Sequence, residues 1–188
     1  MLDGVPSSRS IFPNLRGAIF LFLVLLLTLT RMEGACGKIL TTKDPSVVLK
    51  KIHRRKRAHQ RTCSHSAEEQ ARLQEWAAIV CKDLPLLFVP RAWDAQRFQY
   101  AMERIDVSKP LEDPREHTVL KDLKIFYDRA KAAHIFPADY ELYIQPDGSV
   151  AMIDFDKFGT WEDDGSVVFP WGLTMTPSQT ETVLSILL

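Results

Sequence analysis

The chain has 188 residues, and its 24 Lys plus Arg balance its 24 Asp plus Glu, so the formal net charge is zero at pH 7. This length suffices for one domain with a buried core or two very small domains, and the balanced charge does not indicate general nucleic-acid binding. The 46% apolar and 10% aromatic content excludes a disordered chain. Three cysteines without metal-ligand spacing (Cys36, Cys63 and Cys81) favour a reducing compartment over a disulfide-stapled secreted domain.

An uncharged apolar run covers residues 17–30 and is bounded by Arg16 and Arg31. As a helix it would span about 21 Å, which is short for a hydrocarbon core of about 30 Å but suits the apolar region of a signal peptide. The alternation in Leu27–Thr30 also fits a buried strand. We therefore expect either a secretory signal or membrane anchor, or a first strand of the fold.

Two glycines three residues apart, Gly34 and Gly37, precede the next candidate strand. Glycines let backbone amides approach an anion closely, although this spacing is also common in ordinary turns. After a turn, the β-branched run Val47–Ile52 predicts a further strand. That strand carries Lys50, with Lys51 as the alternative if the register differs by one residue.

A basic, polar stretch follows in residues 53–61, predicted as an exposed loop or early helical turn. A patch for nucleic acid or anionic lipid is the alternative, but no aromatic residues are interleaved to stack on bases. We expect no specific nucleic-acid partner.

A helix is predicted from Ser66 to Cys81. Ser66 is a good N-cap residue, and Glu69 three residues later completes a capping box. Strands are predicted at Leu86–Pro90 and Arg97–Glu103, joined by a polar turn around 93–94.

In the second half, the 3.6-residue periodicity predicts a helix over Val119–His134. A loop over residues 134–141 and a hairpin over residues 142–153 are expected next, delivering Asp154-Phe155-Asp156 to the end of the hairpin. A second hairpin is predicted around 164–165, followed by a last helix capped by Thr176.

Taken in this order, the motifs resemble those of the protein-kinase superfamily over about residues 32–156. Residues 32–39 resemble the glycine-rich loop G-x-G-x-x-G-x-V, with Met32 in place of its first glycine. Val47-Val48-Leu49-Lys50 resembles V-A-I-K, and Asp154-Phe155-Asp156 resembles D-F-G with Asp156 in place of the glycine. The resemblance implies an α+β, kinase-like fold after the N-terminal stretch 1–31. Its small antiparallel-sheet lobe would span 32–103 with one helix, and a short helical and hairpin lobe would span 104–188 after a hinge.

The resemblance also implies a site for ATP and Mg²⁺. Its glycine loop and strand lysine would hold the phosphates, a helix glutamate would pair with the lysine, the hinge would receive adenine, and two acidic residues would bind the metal. The corresponding positions are Gly34, Gly37 and Lys50 for the phosphates, Glu75 (with Glu69 as runner-up) for the helix glutamate, Met102 and Glu103 for the hinge, and Asp154 and Glu141 for the metal.

The sequence departs from the family pattern in the predicted loop. The place of the catalytic base holds Phe136, and Asp139 is the one carboxylate in that loop able to stand in. No A-P-E triplet or substrate-binding helical platform follows. We therefore expect a nucleotide-binding, kinase-like protein that is a phosphotransferase if Asp139 serves as base. The alternatives are a non-catalytic pseudokinase and a membrane-associated interaction protein without a nucleotide site.

The expected partners are a nucleotide, a protein partner if the role is interaction, and a membrane if residues 17–30 act as an anchor. Those residues also decide the expected localisation. A signal or anchor would place the protein in the secretory pathway or at a membrane, and a first strand would place it in the cytoplasm.

Overall fold

A computed structural model describes residues 37–52 and 66–188, apart from the side chains of residues 37, 38 and 156. The predictions for Gly34, residues 17–30 and residues 53–61 lie outside the described residues. Residues 35–188 form one compact unit. Within the described ranges, no helix has the length and apolar content needed to cross a membrane.

The described residues form a mixed α+β structure with two sheets and three α-helices, which confirms the coarse fold class. The elements in chain order are β1 (Gly37–Thr41), β2 (Val47–Ile52), α1 (Ala67–Val80), β3 (Leu87–Phe88), β4 (Ala92–Gln96), β5 (Gln99–Glu103), a short 3-10 helix (Pro114–Glu116), α2 (Leu120–Ala132), β6 (Ile135–Ile144), β7 (Val150–Trp161), β8 (Val167–Val168), β9 (Thr174–Met175) and α3 (Pro177–Leu187).

The first sheet is antiparallel, with strand order β1-β2-β5-β4. The turn between β1 and β2 is closed by the Asp44 carboxylate, which accepts hydrogen bonds from the Ser46 amide at 2.8 Å and the Ser46 hydroxyl at 2.6 Å. The predicted polar turn around 93–94 is wrong, because both residues belong to β4 and Trp93 pairs with Ala101 of β5. Asp94 has φ 51° at the irregular step of this pairing.

The second sheet is built around the long strand β7, with order β3-β7-β8-β9 and β6 paired to β7. The predicted strand Leu86–Pro90 is shorter than expected and pairs in parallel with β7 rather than joining the first sheet. The buried Asp122 carboxylate holds it there, accepting from the amides of Leu86 at 2.7 Å and Leu87 at 3.0 Å. In the described residues the first sheet therefore consists of β1, β2, β4 and β5.

The helix starts follow the local sequence signals. Both reciprocal hydrogen bonds of the capping box are present at Ser66 and Glu69 before α1, and again at Thr176 and Gln179 before α3. Each box satisfies two amides at the helix start that have no partner within the helix. These two helix starts were predicted correctly.

Two cores stabilise the fold. The smaller one lies between α1 and the first sheet, and Ile153 of β7 packs against it. The larger one packs α1 and α2 against the second sheet and includes the aromatic residues Phe126, Tyr127, Phe136, Phe155, Trp161 and Phe169. Strand β7 therefore contributes to both cores and joins them.

The loop expected over residues 134–141 is instead most of strand β6. Phe136, at the expected place of a catalytic base, is 1% exposed, and its ring centroid lies 5.2 Å from that of Trp161 and 6.1 Å from that of Phe169. His134 precedes the strand with φ 55°, and its Nδ1 lies 2.8 Å from the Trp161 carbonyl oxygen. The apolar residue at position 136 thus fills the larger core.

Candidate functional site

The candidate site lies at an irregular step within the β6–β7 hairpin. A tight turn starts the hairpin: the Gly148 amide donates to the Gln145 carbonyl at 3.0 Å, and Gly148 takes φ 85°, which glycine adopts without steric cost. Regular pairing then runs from Ile144 opposite Val150 to Glu141 opposite Ile153. This register brings Asp154 to the first position beyond the regular ladder.

The ladder is irregular at Asp154. The next register pair after Glu141 and Ile153 is Asp139 and Lys157, so three β7 residues oppose one β6 residue. Asp154 has φ 69°, a left-handed conformation that is uncommon for non-glycine residues and that Asp tolerates better than most. Bulges and strained backbone of this kind cluster at functional sites, where they aim a side chain away from the sheet pattern.

Asp154 forms an ion pair with Lys50 of β2, a residue 104 positions earlier in the chain. The Lys50 ammonium donates a hydrogen bond to Asp154 Oδ1. Lys50 is 7% exposed as a residue, whereas the Asp154 side chain is 31% exposed. Because a buried ammonium requires a counter-charge, this pair compensates much of the cost of burying Lys50. Lys51, the alternative considered from sequence, is exposed.

The structure does not bring the expected helix glutamate to Lys50. Glu75 is exposed on α1, and the Glu69 carboxylate accepts from the Ser66 amide at 2.7 Å in the capping box. The buried face of α1 instead carries Gln70 and Gln74, each 0% exposed. The expectation for Glu75 therefore missed the inward-facing position by one residue, or about 100° around the helix.

Sequence reasoning missed a cluster of neutral polar side chains that lies beside Lys50. Tyr100 is the cross-strand partner of Lys50, and the Lys50 Nζ lies 6.0 Å from the centre of the Tyr100 ring. The Tyr100 hydroxyl donates to Gln74 Oε1 at 3.2 Å, and Gln74 Nε2 donates to the Pro90 carbonyl at 2.7 Å. Aligning the predicted strands β2 and β5 would have paired Lys50 with Tyr100.

Glu141, the second predicted metal ligand, lies on β6, where it pairs with Ile153 of β7, the residue before Asp154. Its Oε2 accepts a hydrogen bond from the Tyr143 hydroxyl at 2.6 Å. Burial raises the pKa of Tyr143 to about 12, with further contributions from the hydrogen bond to Glu141 and from the negative charges of Glu141 and Asp154. The Tyr143 phenol is therefore within electrostatic reach of both predicted metal ligands.

Asp139, the predicted base, is a strand residue and not a loop residue. Its Oδ2 lies 2.8 Å from the Nζ of Lys157, its cross-strand partner, and both side chains are 27% exposed. Lys157 is three residues beyond Asp154 on β7. An ammonium held against the carboxylate competes with an incoming hydroxyl for its oxygens.

The chain segment expected to be the hinge follows β5. Met102 is 4% exposed and belongs to the smaller core, while Glu103 uses its amide and its carboxylate to bind Arg91. Beyond it, Gln145 of the hairpin turn binds both backbone groups of Asp106, each at 3.0 Å. This pair of hydrogen bonds ties the crossing segment to the hairpin that carries Asp154.

The available donors fit magnesium only together with a phosphate ligand. In the parts of the chain that the structure describes, no group of three or more His, Cys, Asp or Glu residues is placed to hold a metal ion. Mg²⁺ commonly uses one or two protein carboxylates and completes its shell with water and substrate phosphates. Asp154 and Glu141 could supply such a pair.

Comparison of the chain with protein-family models, curated proteins and solved structures finds no match.

Proposed function

We propose that residues 32–188 form a kinase-like domain that binds ATP and Mg²⁺ at the Lys50–Asp154 pair. Two features of the fold support this proposal. The lysine strand β2 lies inside an antiparallel sheet and is followed in the chain by helix α1, and the crossing segment after β5 leads to helix α2 and to strands β6–β9 of the second sheet. The strand order β1-β2-β5-β4 is compatible with a kinase-like small lobe.

The observation that carries the proposal is the ion pair itself. A lysine from one sheet and a strained aspartate from the other meet across 104 residues of sequence. In the proposed complex, the Lys50 ammonium would hold the α- and β-phosphates and Asp154 would hold the magnesium ion, which would neutralise phosphate charge. Without nucleotide, the two charges neutralise each other.

The site supports nucleotide binding better than phosphoryl transfer. Phosphoryl transfer to a hydroxyl uses a carboxylate that positions the hydroxyl and accepts its proton. Phe136 is buried in the core, and Asp139 is engaged by Lys157. We therefore propose a non-catalytic nucleotide-binding role first, with a phosphotransferase that uses Asp139 as the alternative.

A thermal-shift experiment on the full chain tests this proposal. ATP with Mg²⁺ is expected to raise the melting temperature, since a ligand at 100 times its Kd stabilises by about 2.7 kcal/mol. ATP with EDTA should give a smaller rise. The shift should disappear in Asp154→Asn, measured against that variant's own ligand-free melting temperature, and persist in the control Asp83→Asn, which changes an exposed ion pair.

No shift in the parent chain would refute nucleotide binding. A shift that is equal in the parent and in Asp154→Asn would place the nucleotide elsewhere. ADP release measured in the same samples separates the non-catalytic role from the phosphotransferase alternative. Only the phosphotransferase alternative predicts that ADP is released and that Asp139→Asn abolishes the release.

The rival proposal is a membrane-associated interaction protein, and its support is the apolar run at residues 17–30. Fractionation of cells that express the full chain tests it. Recovery in the membrane fraction, or at a mass reduced by signal cleavage, would support this rival. Recovery in the soluble fraction at full mass would refute it.

A further inference from the structure

A chain of contacts runs from helix α1 to the buried lysine. Gln74 Nε2 donates to the Pro90 carbonyl at 2.7 Å, and Gln74 Oε1 accepts from the Tyr100 hydroxyl at 3.2 Å. The Tyr100 ring in turn lies 6.0 Å from the Lys50 Nζ. Gln74 is 0% exposed, Tyr100 is 1% exposed and Lys50 is 7% exposed.

This arrangement fixes the orientation of the Tyr100 ring. A buried amide and a buried hydroxyl are costly unless they are hydrogen-bonded, so each hydrogen bond selects one rotamer of Gln74 and one of Tyr100. Backbone pairing of Lys50 with Tyr100 places both side chains on the same face of the first sheet. The hydrogen bond to Gln74 and the backbone pairing with Lys50 therefore both hold the ring beside the lysine.

A ring in this position stabilises the ammonium without neutralising it. The face of an aromatic ring attracts a cation through its quadrupole, with the largest effect at desolvated sites. A carboxylate on the helix would neutralise the same ammonium. The buried face of α1 presents the neutral Gln74 at the position next to the exposed Glu75.

We propose that Tyr100, oriented by Gln74, is a positioning residue that directs the Lys50 ammonium toward Asp154 and toward the phosphates of a bound nucleotide. Its effect on phosphate binding rests on the proposed function, whereas its effect on the Lys50 side chain does not. Tyr100 thus performs with a neutral ring what the resemblance assigns to a helix glutamate. The ring adds no second negative charge to that of Asp154 at the Lys50 ammonium.

The test compares Tyr100→Phe with Tyr100→Leu in the full chain. Both variants lose the hydrogen bond to Gln74, and only the phenylalanine variant keeps a ring, so each serves as the control for the other. The first measurement is the NMR shift of the Lys50 ε-methylene protons without nucleotide. The ring-induced shift should persist with phenylalanine and disappear with leucine. Should the leucine variant fail to fold, Tyr100→Met gives the same comparison, because its flexible side chain fills space well.

The second measurement is the affinity for ATP with Mg²⁺ and for adenosine, which has no phosphates. We expect the leucine variant to bind ATP about five to ten times more weakly than the phenylalanine variant. Adenosine affinity should be equal in the two variants, whereas general damage to the fold would weaken both ligands.

Equal ε-methylene shifts in the two variants, or equal losses of ATP and adenosine affinity, would overturn the positioning role. If the parent chain binds no ATP, the proposed function fails, and the ε-methylene comparison still decides whether Tyr100 positions Lys50.

Discussion

Substitution of Asp154 by Asn removes the negative charge opposite Lys50 and leaves most of the local geometry in place. Asn has nearly the same size as Asp and also tolerates the left-handed backbone that this position adopts at φ 69°. The substitution therefore tests the loss of the ion pair without adding backbone strain at this position. The reciprocal change, Lys50→Met, removes the positive charge and keeps an apolar chain of similar length.

The two substitutions should differ in cost because the two partners differ in burial. Removing one partner of a fully buried pair costs about 3–5 kcal/mol, whereas an exposed pair contributes about 0–1 kcal/mol. Asp154→Asn removes the Asp154 charge from a lysine whose side chain is 9% exposed, so we expect a loss of about 2–3 kcal/mol. Lys50→Met leaves a carboxylate that is 31% exposed and can be hydrated, so we expect about 1 kcal/mol or less.

Thermal and urea unfolding without nucleotide, in EDTA, measures both variants. For a domain of this size, 1 kcal/mol corresponds to about 2–4 °C, so Asp154→Asn should melt roughly 4–12 °C below the parent. Asp83→Asn, in the exposed pair with Arg129, is the control and should change stability by less than about 1 kcal/mol. A loss for Lys50→Met that equals or exceeds that for Asp154→Asn would refute the reasoning from burial.

Two further predictions concern the second sheet and the larger core. Gly159→Ala should destabilise the protein by about 1–3 kcal/mol in urea unfolding, because the added methyl would lie 2.7 Å from Val167 Cγ1; an unchanged midpoint would contradict this. Burial raises the pKa of Cys81 to about 12. In a Cys36→Ser/Cys63→Ser background, a thiol reagent at pH 8 should therefore modify Cys81 slowly in the native state and rapidly in denaturant. Fast labelling of the native protein would contradict the burial of Cys81.

Local signals in the sequence located Asp154, which follows a hairpin with a clear turn. They narrowed the strand lysine to Lys50 or its neighbour Lys51, and the structure shows that Lys50 is the one that pairs with Asp154. The capping boxes also predicted the starts of α1 and α3. Each of these signals depends on residues a few positions apart, which is the range over which sequence patterns determine backbone geometry.

The predictions from sequence were wrong where contacts between distant parts of the chain determine the local structure. Two glutamines on the buried face of α1 weaken its apolar pattern, so the sequence did not show that Gln74 rather than Glu75 points inward. The kinase resemblance placed the catalytic loop over residues 134–141, but pairing with the long strand β7 holds this segment extended. The short apolar run at 87–88 could not reveal its partner strand, which Asp122 helps to select from helix α2.

Isothermal titration of the full chain with ATP and Mg²⁺ tests the central claim most directly, using the neighbouring lysines of β2 as a matched pair. Lys50 is buried against Asp154, whereas Lys51 is exposed on the same strand. We predict saturable binding by the parent and by Lys51→Met, and a loss of at least tenfold in affinity in Lys50→Met. Absence of binding by the parent, or equal affinity in the two methionine variants, would contradict a nucleotide site at the Lys50–Asp154 pair.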